Sequence, residues 1–329
     1  MPDLYDVAAI GNAIVDVIAP ATDEFLAQNG LDKGAMMLVD PARSAALYAK
    51  MAAGVEASGG SAANTIAGLA SLGGRGAFMG KVADDALGAV FAHDMRAIGA
   101  QFENAPLVGG PGTAISMINV TPDAQRTMCT YLGASVEFTD SDVDAATVEG
   151  AKIVYLEGYL FDAEAARRAF AKAAALAHGA GRMIALTLSD GFVVERHRGG
   201  LMGFIESQVD LLFANETELT ALFQTDDFDA AIEALRPHVK LAAVTRGAAG
   251  SVILSQGERL TVKAERPEKV VDTTGAGDQY AAGFMFGLSR GRPLQQCGQL
   301  ASLAAAEVIS HYGPRPLVSL KGLAAGKGY

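Results

Sequence analysis

The sequence predicts an α/β fold built on a mostly parallel sheet with a smaller β element beside it, and three observations carry that prediction. Four short apolar runs, residues 153–156, 184–188, 211–214 and 241–245, recur in the second half of the chain, with helical patterns such as 163–178 between them. Buried strands that alternate with helices imply a parallel sheet covered on both faces and joined by right-handed crossovers. Earlier, residues 113–121 alternate as a strand, turn at Pro122-Asp123-Ala124-Gln125 and continue into a second strand over 126–132, the pattern of a hairpin. Finally, V-V-D-T-T-G-A-G-D-Q-Y-A-A-G-F-M-F-G at 270–287 runs from a turn directly into a helical repeat.

Composition narrows the function classes. At 329 residues, 50% hydrophobic and 19% charged, the chain can bury a large core, and intrinsic disorder is excluded. A net charge of −11 without a Lys/Arg run argues against a nucleic-acid surface. Cys129 and Cys297 form no C-x-x-C pair, which fits a reducing compartment. The start, M-P-D-L-Y-D, has no basic region leading into an apolar one, and the uncharged stretch 57–74 is too rich in Gly, Ser, Asn and Thr for a membrane span. A soluble cytoplasmic protein is expected, with neither nucleic acid nor membrane as partner.

Taken in order, residues 6–10 form an apolar strand that ends at Gly11-Asn12 and resumes over 13–18 around one acid, Asp16. No G-x-G-x-x-G follows Gly11, so a dinucleotide fold is disfavoured, and Gly326-Lys327-Gly328 lacks the remainder of a Walker A motif. Residues 24–40 read as a short helix and a strand carrying Met36 and Met37, only one of which can face a pocket. Ser58-Gly59-Gly60-Ser61-Ala62-Ala63-Asn64-Thr65 opens a helix that runs to Leu72 and stops at Gly73-Gly74. Its small residues suit close helix packing. Alternatively, Gly59 and Gly60 bare the backbone to a substrate while Asn64 offers a donor and an acceptor to a diol. Asn215 and Glu218 follow a strand at its carboxyl end, where open α/β sheets place ligands, yet the same pair would form a capping box. Val244-Thr245-Arg246-Gly247-Ala248-Ala249-Gly250 is a glycine-rich turn at another strand end.

In the 270–287 segment, Thr273 and Thr274 are candidate caps, while Gly275 and Gly277 let the backbone bend and approach a ligand. Free N–H groups and the helix dipole there favour an anion, and Asp278 lies in the first helical turn beside it. Residues 300–313 read as a long helix that ends at Gly313-Pro314, with His311 near its terminus.

D-T-T-G-A-G-D resembles the C-terminal signature of the ribokinase/PfkB family of carbohydrate and nucleoside kinases, and G-G-S-A-A-N resembles that family's N-terminal G-G-x-x-x-N element. The N-x-x-E at Asn215, the T-x-G-x-x-G at Thr245 and the segment at Gly80-Lys81-Val82 are also similar to family motifs, although Ala83 stands where a glycine is usual. The resemblance implies one ribokinase-like domain over residues 1–329: a three-layer α/β/α body plus a small β-sheet lid formed by segments 13–40 and 110–132. It implies ATP-dependent transfer of the γ-phosphoryl group to a hydroxymethyl oxygen, with Asp278 as general base and the N–H groups of Gly275, Ala276 and Gly277 holding the developing charge. Asn12, Asp16, Gly59, Gly60 and Asn64 would bind the acceptor. Asn215, Thr245, Arg246, Gly247, Gly250 and His311 would meet ATP. Glu218 would hold magnesium through water, and Asp272, Thr274, Val308 and Gly313 would supply oxygens, mainly from backbone, to a potassium ion. The G-N-x-x-x-D start is similar to adenosine-kinase-like members and favours a nucleoside acceptor, for whose base Tyr159, Phe161 and the two Met are candidates. A ribose- or fructose-type sugar keeps the same polar residues, and a non-catalytic nucleotide-binding regulator is the alternative from another class. Family members also often dimerise through the lid.

Overall fold

The computed structural model describes residues 4–329 except Ala124 and Gln256, so the M-P-D start and one residue of the predicted turn lie outside the described residues. Its strands are β1 (Tyr5–Ile10), β2 (Ile14–Pro20), β3 (Met36–Leu38), β4 (Val55–Gly59), β5 (Gly76–Met79), β6 (Ala114–Val120), β7 (Arg126–Tyr131), β8 (Ala151–Glu157), β9 (Met183–Thr187), β10 (Leu211–Asn215), β11 (Leu241–Thr245), β12 (Ser251–Ser255) and β13 (Glu258–Val262). They form an eight-stranded sheet in the order β13-β12-β11-β10-β9-β8-β1-β5 and a five-stranded sheet in the order β3-β7-β6-β2-β4. From β5 to β11 every neighbouring pair in the larger sheet is parallel; β12 and β13 extend it antiparallel.

Alternation along β1 shows why the larger sheet is covered on both faces. Ala8 and Ile10 pack with the helices Glu164–Gly179, Gly191–Gln208, Glu216–Phe223 and Phe228–Leu235. Val7 and Ala9 face the opposite layer, which contains Ser61–Ser71, Ala86–Ala97, Ala276–Ser289 and Leu294–Val308. The result is the ribokinase-like three-layer α/β fold with its additional smaller sheet. That sheet has its own core of Val17, Leu26, Leu31, Leu47, Ile115, Met117 and Cys129. Among the described residues, no helix is long and apolar enough to cross a membrane.

Two local expectations are corrected. Neither Thr273 nor Thr274 caps the helix that carries Asp278. Gly275 is its N-cap at φ +78°, without a side-chain cap, while the Thr274 hydroxyl donates to Asp272 at 2.7 Å. A left-handed residue is needed there because the chain turns hard against Pro314, and a Cβ on Gly275 would lie 2.6 Å from its Cα. The tail helix spans Leu294–Val308 and not 300–313; Pro293 leads into it, and the chain leaves helical geometry well before Gly313-Pro314.

Candidate active site

Parallel register brings one set of strand ends together. Ile10 lies opposite Leu156, Glu157 opposite Thr187, Thr187 opposite Phe213, and Asn215 opposite Thr245. The carboxyl ends of β1, β8, β9, β10 and β11 therefore share one edge, and Asn12, Glu157, Asn215 and Arg246 all sit at or just beyond it. The smaller sheet meets the same edge through β4, which ends at Gly59 and feeds the helix Ser61–Ser71. That helix has no side-chain cap of its own. Its Ala62 N–H instead donates 2.9 Å to the Glu157 carboxylate, which also accepts from the Asn12 backbone and amide at 3.3 and 2.9 Å.

Asp278 lies in the first turn of Ala276–Ser289, against the start of Ser61–Ser71. Its carboxylate accepts from Ser61 Oγ at 2.6 Å and from Asn64 Nδ2 at 3.3 Å. Burial raises it to about 6 although both hydrogen bonds and the charge of Arg315 pull it down. On β2, Asp16 reaches the same space, lying so tightly over Gly59 that a Cβ there would be 2.3 Å from its carboxylate oxygen. Burial pushes Asp16 up to about 7; Arg315 and Arg126 lower it and the charge of Asp278 raises it. Gly60, at φ +92°, abuts the Asn12 carbonyl, with 2.3 Å left for a Cβ. Asn64, the expected diol partner, has its Oδ1 accepting from Arg315 Nε at 3.1 Å and one amide hydrogen directed at Asp278 at 3.3 Å.

At the helix start, the Ala276 N–H donates to the Thr273 carbonyl at 3.2 Å, whereas a Cβ on Gly277 would meet open space. Nearby, Asp272 accepts from Thr274 N–H and Oγ1 and from the Gly313 N–H at 3.1 Å, and it pairs with Arg126 Nη2 at 2.7 Å in a setting where both side chains are buried. The Asp272 carboxylate is thus already engaged, and Gly313 faces it with a donor. Val308 is fully buried in the tail helix. Arg126, whose guanidinium also lies over the Tyr312 ring, ties β7 of the smaller sheet to the D-T-T-G-A-G-D loop.

Further along the edge, Asn215 and Glu218 form a reciprocal capping box. Asn215 N–H and Nδ2 donate to Glu218 at 3.0 and 2.7 Å, and Glu218 N–H donates back at 2.8 Å. Burial and then the neighbouring charge of Asp190 lift Glu218 to about 7 even so. Arg246 pairs with Glu216 at 3.0 Å and stacks 3.9 Å over the Phe228 ring, and the turn after Thr245 is shaped by Gly247 and Gly250, both at positive φ. His311 is held by Glu307 at 3.2 Å and by the Tyr312 carbonyl. Phe161 packs in the core with Phe170 and Phe204, so it is not a base-stacking group. Met36 faces solvent and Met37 packs into the smaller sheet's core.

Sequence reasoning missed Ser61, Glu157 and Arg315. Their partners lie 217, 145 and 251 residues away, so local spacing gives no sign of them. The one available signal was an acid closing the buried run of β8.

The profile of the pfkB family carbohydrate kinases matches residues 33–320. The chain belongs to the pfkB family. As a pfkB kinase it is a phosphotransferase that uses an alcohol acceptor, a nucleoside or a sugar. An adenosine kinase from Sinorhizobium meliloti superposes with a TM-score of 0.91 at 53% identity, covering 98% of this chain and 99% of that one. A probable sugar kinase from Rhizobium etli CFN 42 gives 0.93 at 48% identity, with 100% and 99% covered. The adenosine kinase of Saccharomyces cerevisiae is 28% identical over 331 residues, 93% of this chain and 95% of the yeast protein.

Proposed function

We propose that this pfkB kinase transfers the γ-phosphoryl group of ATP to the hydroxymethyl oxygen of an adenosine-like nucleoside, with Asp278 as general base. The observation that carries the reading is the Asp278 carboxylate itself. It is raised to about 6, held by Ser61 and Asn64, and set at a helix N-terminus where Gly277 faces open space that a phosphate can occupy. A base with a pKa just below neutrality is mostly ionised at pH 7 and still accepts a proton as the acceptor oxygen attacks. The N–H groups of Gly275 and Gly277, joined by that of Ala276 when it leaves the Thr273 carbonyl, act with the positive end of the helix to stabilise charge on the transferring group.

Asp16, Asn12 and Asn64 are the acceptor-binding groups, with Gly59 and Gly60 giving close backbone approach. Asn215, Thr245, Arg246, Gly247, Gly250 and His311 form the nucleotide side of the cleft. Glu218 suits a hydrated magnesium: both of its oxygens already accept from Asn215, and the repulsion from Asp190 is relieved by a nearby cation. When bound, magnesium neutralises phosphate charge. For a monovalent cation near Asp272, Thr274, Val308 and Gly313, the engagement of Asp272 with Arg126 leaves backbone carbonyls as the available oxygens. The kinase unit spans residues 1–329. Segments 13–40 and 110–132, with β4, act as a lid that excludes water from the phosphoryl group. Exposed Met36, Leu38 and Val55 on the edge strands of that sheet support a homodimer through it, checked by sedimentation equilibrium.

A nucleoside is favoured over a sugar by the 53% identity, across nearly the whole chain, to a protein described as an adenosine kinase. The likeness to a probable sugar kinase keeps ribose- and fructose-type acceptors as the second reading. The deciding experiment measures ADP release from ATP-magnesium with adenosine, inosine, guanosine, cytidine, ribose, fructose and fructose 6-phosphate. Turnover with a nucleoside is expected; turnover with sugars alone would overturn the acceptor assignment and leave the chemistry standing.

A further inference from the structure

Arg315 lies outside every motif that carries the family resemblance, in the loop after the tail helix, yet it reaches the centre of the site. Its Nε donates to Asn64 Oδ1 at 3.1 Å and its Nη1 to Ser58 Oγ at 2.7 Å, so one guanidinium bridges the helix Ser61–Ser71 and strand β4. Its loop is clamped in place. The fully buried Gln279, next to Asp278, donates from Nε2 to the Asn64 carbonyl at 3.0 Å and to the Pro314 carbonyl at 2.9 Å, and Gly275 packs against Pro314 from the other side. Asp94 fixes β4 at the same point by accepting from the Ser58 N–H at 2.8 Å.

The titratable groups facing Asp278 come from four elements. Asp16 approaches from β2, and Glu157 and Tyr155 from β8. Tyr159 approaches from the turn that follows β8, and Arg315 from its loop. Two carboxylates in one cleft cannot both ionise readily without a counter-charge; Arg126 supplies one to Asp16 from β7, whereas Arg315 acts on both Asp16 and Asp278. Guanidinium keeps its charge at any relevant pH and offers its donors in a planar fork, which a lysine cannot reproduce.

We propose that Arg315 is a positioning residue for phosphoryl transfer. It turns the Asn64 amide so that its NH2 group meets Asp278, and its charge allows Asp16 and Asp278 to be ionised together. This rests on Asp278 being the base. Two consequences separate the roles: geometry acts at every pH, whereas the charge acts on the acid side of the pH profile.

The test uses the full chain with Arg315→Gln, Arg315→Lys and Asp278→Asn, with kcat and KM followed across pH and folding checked by thermal melting. For Arg315→Gln, the acid limb of kcat/KM should move up by about one pH unit or more, making the deficit against wild type roughly tenfold larger at low than at high pH, with KM for ATP unchanged. Arg315→Lys keeps the charge, so its acid limb stays in place while kcat falls at all pH. A profile for Arg315→Gln parallel to wild type would overturn the proposal. If Arg315→Gln fails to fold, Arg315→Lys in an Asn64→Ala background decides: a much smaller cost than in wild type is expected, and additive costs would overturn it. Near-normal turnover by Asp278→Asn would sink the base assignment, and this inference with it. An inert Asp278→Asn beside a parallel Arg315→Gln profile would remove the Arg315 role alone.

Discussion

Replacing Gly59 with alanine adds one methyl group at the point where the acceptor-binding carboxylate is pinned. The new Cβ would stand 2.3, 2.4 and 2.6 Å from Asp16 Oδ2, Cγ and Oδ1, far inside van der Waals contact, so the carboxylate must rotate away. The backbone itself tolerates the change, because Gly59 ends β4 and is not among the glycines at positive φ. The perturbation is therefore confined to Asp16. A hydrogen bond from an acceptor hydroxyl to an ionised carboxylate contributes about 1.5–3 kcal/mol, so its loss raises KM for the acceptor by about 10- to 150-fold. KM for ATP should change little, because the nucleotide-side residues lie on the carboxyl ends of β10 and β11. Steady-state kinetics with each substrate varied in turn, alongside thermal melting, provides the assay. An unchanged acceptor KM in a folded variant would refute the role given to Asp16.

Two further outcomes follow from the same geometry. Because Asp278 must be ionised to accept a proton and burial raises it to about 6, kcat/KM should fall as pH drops below about 6 and level off above neutrality. With Asp16 raised to about 7, the fall becomes steeper than a single ionisation if the acceptor needs both carboxylates; a limb near the ordinary aspartate range would contradict the burial argument. Arg126→Ala breaks a buried ion pair between the smaller sheet and the D-T-T-G-A-G-D loop, and should destabilise the protein by about 3–5 kcal/mol in denaturant titration. A loss below about 1 kcal/mol, the range of exposed pairs, would contradict a structural role for this buried one.

How much was legible in the sequence follows from which contacts are local. Strands β8 to β11 are continuous apolar runs because helices cover both faces, and their positions could be read to within about two residues. Strand β4, V-E-A-S-G, was not, since it is an edge strand with an exposed start and weak β propensity. Strands β12 and β13 were missed although they pair in register from Ser251 opposite Val262 to Ser255 opposite Glu258. The Asp278 turn was visible because glycines and acid are adjacent in sequence. Its cap was misread because threonine propensity competes there with a left-handed turn that only the contact with Pro314 demands. Both readings of Asn215 and Glu218 remain in one geometry: the capping box is formed, and the raised carboxylate still sits at the sheet edge.

Asp278→Asn removes the proton acceptor while keeping the size of the side chain and an oxygen that still accepts from Ser61. Single-turnover phosphoryl transfer and equilibrium binding of the nucleoside, measured on the same preparation, separate chemistry from affinity. The transfer rate should fall by about 10²- to 10⁴-fold with the dissociation constant nearly unchanged. Transfer at close to the wild-type rate would contradict Asp278 as the base.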